Sequence, residues 1–122
     1  METIMEEIKR DNDEYHFTDE DLKTVEEFIN EAEEQIKKHG AYNHRVFTAS
    51  VNLCLLDYLG NGREYLVDMG PQYICKYYCQ VYLTEFKENH SEQDKETMRK
   101  ILSPYKEYMD SDMKELLGGI EL

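Results

Sequence analysis

An all-α, single-domain helical bundle of four to six helices is the fold the sequence predicts, and three observations predict it. Most segments carry apolar residues at spacings of three and four with acids on the far side. Cap residues punctuate those segments. The one nearly charge-free stretch, Val46 to Leu56, lies between amphipathic neighbours, as a core element covered by them would. At 122 residues the chain forms one domain, 1–122, large enough to bury a core without disulfides or metal.

Residues 1–16 are weakly specified. Ile4, Met5 and Ile8 give one apolar stripe on a short helix, and DNDEY ends it, so 1–16 is expected to be loosely ordered. Alternating Asp11 and Asp13 suggest a calcium loop. His16 and Leu22 stand where such a loop needs Gly and a bidentate Glu, and calcium is rejected.

The next helix is fully signposted. Thr18 caps it, Asp21 completes an Asp variant of the capping box, and Phe17 with Leu22 can staple the entry. Lys37, Lys38 and His39 suit its negative end, and Gly40 stops it. Leu22, Val25, Ile29, Ala32 and Ile36 form the inner stripe, with Phe28 beside it. Glu20, Glu27, Glu31 and Glu34 fall opposite, as an acidic ridge.

Asn43 caps a helix over 44–59, apolar on most sides, which Gly60-Asn61-Gly62 ends. Residues 63–69 fit a helical turn or an extended piece. Gly70-Pro71 breaks the chain, and Pro71 opens a helix toward Asn89 with Lys76, Gln80, Thr84 and Lys87 on its outer face. Tyr, Ile, Val and Cys between residues 73 and 83 also suit strands, so the alternative fold is α+β with a β-meander in residues 44–86. The unpunctuated run from Tyr73 to Phe86 favours the helix. Ser91 and Asp94 then box a helix carrying Met98, Ile101 and Leu102. Pro104 interrupts it, and Tyr105, Tyr108, Met109, Met113, Leu116 and Leu117 form a last stripe before Gly118-Gly119. Residues 118–122 are expected to be loose.

Charge narrows the functional classes. The net charge is −13, and residues 1–39 alone hold 14 acids against 5 bases. So acidic a chain is repelled by phosphate backbones and anionic lipid. Neither direct nucleic-acid nor membrane binding is expected. A basic protein partner fits, and a homo-oligomer is compatible. Three cysteines (Cys54, Cys75, Cys79) without framework spacing read as reduced, buried thiols in a cytoplasmic protein. Asn89-His90-Ser91 matches a glycosylation sequon without meaning in that compartment.

Catalytic chemistry has no local signature. Cys75 and Cys79 share a helix face with Tyr82 and Phe86, which favours packing over half a zinc site. His16, His39, His44 and His90 stand at element ends without a pattern. Helices facing the acidic one offer few carboxylates, Asp57 and Glu85 among them. No catalytic residue, cofactor or metal is assigned. Ten tyrosines and no tryptophan are the oddity, six of them between Tyr58 and Tyr82. Such residues pack in a core near the surface or anchor a contact.

The reading that follows is a small acidic interaction protein of inhibitor or adaptor type. It would bind a basic surface as nucleic-acid mimics of phage or mobile-element kind do. Its candidate contact residues are Glu20, Glu27, Glu31, Glu34, Tyr73, Tyr77 and Tyr78. The alternatives are a carboxylate-metal-dependent hydrolase and a small-ligand-binding helical protein using a pocket among the tyrosines.

Overall fold

A computed structural model describes residues 3–86 and 91–117. The fold is all-α, with no strand among the described residues. In chain order its elements are α1 (Ile4–Arg10), α2 (Asn12–Tyr15), α3 (Asp19–Lys38), α4 (His44–Asn61), α5 (Arg63–Val81), a π-helical turn (Tyr82–Phe86), α6 (Glu92–Leu102), a 3-10 stretch (Ser103–Tyr108) and α7 (Ser111–Leu116). Lys87, the sequon residues Asn89 and His90, and residues 118–122 with the Gly118-Gly119 stop lie outside the described residues.

Capping chemistry sets the helix starts. Thr18 Oγ1 accepts from the Asp21 N–H at 3.1 Å while Asp21 Oδ2 accepts from the Thr18 N–H at 3.1 Å, the reciprocal pair that opens α3. Ser91 and Asp94 repeat it at α6. Asn43 Oδ1 accepts from Arg45 and Val46 at the start of α4. The N-terminus, expected to be loose, carries a box of its own, Thr3 with Glu6. Ile4 and Ile8 fix α1 in the core, and the grooves along its flanks place it between α3 and α4. Phe17 is buried and packs against Tyr58 with the rings tilted, their centroids 4.7 Å apart. The Tyr58 hydroxyl donates to the Tyr15 carbonyl at 3.1 Å.

The chain is organised around α5 rather than around α4, which holds the uncharged run. Helix α5 touches α3, α4, α6 and α7, and Met69, Ile74, Cys75, Tyr78 and Cys79 on it are fully enclosed. Residues 63–69, ambiguous in the sequence, are helical. Gly70 then breaks the axis at φ 56°, ψ 177° before Pro71 reopens it. Helix α4, apolar on most sides, buries Val46, Phe47, Val51, Cys54 and Leu55 against the core and leaves Leu56 and Leu59 exposed.

The C-terminal stripe divides where one helix was expected. Pro104 opens a 3-10 stretch, and Asp110 starts α7 by accepting from the Met113 N–H at 2.9 Å. Met109, Met113 and Leu117 are buried and Tyr108 is exposed. Asp110 Oδ2 also meets Lys76 Nζ at 3.0 Å, tying α7 to α5. The bond from the Met113 N–H first, and the Lys76 ammonium second, hold the Asp110 carboxyl below its ordinary range. The stability this contact adds is therefore present at neutral pH and is lost as acid protonates Asp110.

Candidate functional site

Helix α3 turns its inner stripe, Val25, Ile29, Ala32 and Ile36, into the core. Glu20, Glu27, Glu31 and Glu34 are all exposed on its outer face. None of the four forms an ion pair among the described residues, so their charge is directed at solvent. Glu33, on the flank, is paired instead with Lys37 at 3.1 Å, and Lys37 Nζ lies 4.8 Å from the centre of the Tyr42 ring.

The aromatic neighbour of this ridge is one the sequence did not single out. Gln35 Nε2 donates to the Ile101 carbonyl at 3.1 Å, drawing the end of α6 and the 3-10 stretch against α3. Glu31, Glu34, Gln35, Lys38, Pro104 and Tyr105 then line an open groove of about 340 Å³. Burial, with the charges of Cys75 and Glu31 nearby, pushes the Tyr105 hydroxyl up to about 12. An apolar floor of Pro104 and Tyr105 beside two unpaired carboxylates can hold the stem of a lysine or arginine and face its charge. Proline at 104 was the signal for a turn, but nothing local says that the turn lies on α3.

The tyrosines chosen from the sequence behave differently. Tyr78 is 0% exposed, so it is removed from the candidate contact residues. Its hydroxyl donates to the Ala41 carbonyl and accepts from the Asn43 N–H at 2.9 Å, which fastens the α3–α4 connection onto α5. Tyr77 and Tyr73 are half-buried. The Tyr77 hydroxyl donates to Asp57 Oδ2, which also accepts from the Tyr65 hydroxyl at 3.4 Å. Tyr73 stacks on Tyr65 with centroids 5.8 Å apart. These contacts join the end of α4 to both halves of α5, on either side of the Gly70 break.

Ridge and tyrosines are not brought together. On α5 the α3 side carries Cys75, whose thiol feels the charge of Glu31. Tyr73 and Tyr77 lie about 160° away around the same helix. They occupy a separate surface.

The three thiols are buried. Burial pushes Cys54 and Cys75 up to about 12 and Cys79 well above its ordinary range, the opposite of an activated nucleophile. No three His, Cys, Asp or Glu side chains converge to hold a metal ion among the described residues. No helix there is long and apolar enough to cross a membrane. Burial likewise raises the tyrosines Tyr15, Tyr42, Tyr65, Tyr77, Tyr78 and Tyr105. The folded state thus holds phenolic protons that the unfolded chain releases near pH 10. Stability is full below that pH and falls as pH climbs toward the raised values, about 12 for Tyr42 and Tyr105. Native protein at neutral pH should therefore resist thiol alkylation. On alkaline titration, tyrosinate absorbance, loss of helical circular dichroism and thiol labelling should rise in one transition. Rapid labelling of a cysteine at neutral pH, with the helices intact, would contradict this arrangement.

Comparison of the chain with models of known families, with curated proteins and with solved structures gives no match.

Proposed function

We propose that this chain is a small acidic interaction protein, of inhibitor or adaptor type, which binds a basic surface of a partner protein through the outer face of α3. The observation that carries the reading is the α3 groove, where unpaired Glu31 and Glu34 stand beside Tyr105 and Pro104. Carboxylates in water add little affinity to a contact. Next to a half-buried aromatic ring they can hold a basic side chain by charge and by its stem together. Glu20 and Glu27 extend the negative field along the helix and steer approach. The net charge of −13 supports a partner that ordinarily handles nucleic acid, with this chain acting in a cytoplasm as a mimic of phage or mobile-element kind. Tyr73 and Tyr77, on their separate surface, belong to the α4–α5 joint in this reading.

The test divides the ridge into halves. The partner is recovered from host extract on immobilised wild-type protein, identified, and purified. Glu31→Gln/Glu34→Gln should weaken its binding by about tenfold or more, a loss of roughly 1.4 kcal/mol. Glu20→Gln/Glu27→Gln should chiefly slow association. All four positions are exposed, and each change should alter folding stability by no more than about 0.5 kcal/mol. Equal binding by both pairs and by wild type would sink the proposal.

A further inference from the structure

The C-terminal part of the outer face of α4 has no partner among the described residues, although this helix holds the longest uncharged run of the chain. Leu56 is 62% exposed and Leu59 46%. They lie on one side of the helix with Asn52, and Ala49 and Thr48 continue that side toward the N-terminus. From there to the end of the helix the face carries no charge, because Asp57 lies off it, bonded to Tyr65 and Tyr77. In a chain of net charge −13, copies repel one another wherever acids cover the surface. Along α4 itself this face carries no acid, and Glu7 of α1 at the groove is accompanied by Arg45.

The same face holds both halves of a fit. Beside its N-terminal part, Ile4 and Glu7 of α1 join Arg45, Thr48, Ala49 and Asn52 in a groove of about 410 Å³. Its C-terminal part carries the protruding Leu56 and Leu59. Among the described residues, the enclosed side-chain polar atom without a hydrogen-bond partner is Thr48 Oγ1, on the groove wall. Groove and knob are separated by about two turns, or roughly 10 Å, along one helix.

We propose that the outer face of α4 is a self-association surface on which a second copy of this chain docks antiparallel, about a two-fold axis between Asn52 and Leu53. That axis sets Leu56 of each copy against Ala49 of the other, so both grooves fill at once, as an isologous contact requires. It also sets Arg45 of each copy near Gly60 of the other, where the carbonyl end of the helix attracts a cation. The two antiparallel helix dipoles oppose each other favourably. About ten residues a side take part, fewer than half of those in a standard interface, so the dimer is weak and depends on concentration.

Sedimentation equilibrium of the full chain over a range of concentrations tests this. Wild type should move from the monomer mass toward twice that mass as concentration rises. The shift should strengthen with salt, since the net charge of each copy is screened. This salt response has the opposite sign to that of a basic partner on α3, so failure of one reading is distinguishable from failure of the other. Leu56→Glu and Leu59→Glu alter exposed positions, and each should weaken the dimer about tenfold or more. Asn52→Cys, beside the axis, should form an intermolecular disulfide on mild oxidation, while Glu27→Cys on α3 should not. A monomer at every concentration and salt would overturn the proposal and leave the face to some other chain. A dimer indifferent to both glutamate variants, or cross-linked as well from position 27 as from 52, would overturn it too.

Discussion

Removing one oxygen from Tyr78 should destabilise the protein by about 1–3 kcal/mol, the cost of leaving buried backbone groups unpaired. In Tyr78→Phe the ring still fills its place against Phe47 and Tyr82. The Ala41 carbonyl and the Asn43 N–H lose their partner, and they sit in the connection that starts α4. Tyr78→Ala removes the ring as well and should cost about 3–5 kcal/mol. Urea unfolding reads both as a lower midpoint with an unchanged slope. Tyr108→Phe is the control, because Tyr108 is 52% exposed, and it should move stability by no more than about 0.5 kcal/mol. A Tyr78→Phe midpoint as close to wild type as the control's would show that this hydroxyl does not fasten α3 and α4 to α5.

Gly70→Ala should be the costliest single-methyl addition. At φ 56°, ψ 177° the backbone occupies a region essentially reserved for glycine, and a side chain there costs about 1–3 kcal/mol. The added carbon would also overlap Gln72, standing 2.7 Å from its Cδ and Nε2. Gln72 is buried, and the end of its side chain must shift to admit the methyl. Gly40→Ala separates the two causes, since Gly40 also has a positive φ, 76°, but nothing within 4 Å of the new carbon. The Gly70 variant should lose more stability than the Gly40 variant. A Gly70→Ala protein as stable as wild type would mean that the kink inside α5 is not the native geometry.

These two positions mark what could be read from the residues and what could not. Gly70-Pro71 is legible as a break because the chemistry is local: a left-handed φ suits glycine, and Pro71 fits a first helical turn. The boundaries of α3 and α6 are legible for the same reason, through Thr18–Asp21 and Ser91–Asp94. Tyr77 and Tyr78 are adjacent and chemically identical, and only packing decides which turns inward. The outer face of α4 is hidden by a helix apolar on most sides, whose sequence does not say which side is left uncovered. Helix α1 shows its stripe in the sequence, but at seven residues its order depends on Ile4 and Ile8 entering a core made by later elements. Tyr105 reaches the acidic ridge because Gln35 bonds Ile101, 66 residues away, and no periodicity carries that information.

If the outer face of α3 meets a basic partner, the rate of association must depend on salt. The rate for wild type and for the variant with Gln at positions 20, 27, 31 and 34 would be followed from low to high ionic strength with the purified partner. Surface charges more than about 8 Å apart are screened near physiological salt, so a wild-type rate driven by the ridge should fall steeply over that range. The quadruple variant should begin slower and respond less, and the two should converge at high salt. Equal rates with equal slopes would contradict that contact, leaving α3 with a solvated face and no part in recognition.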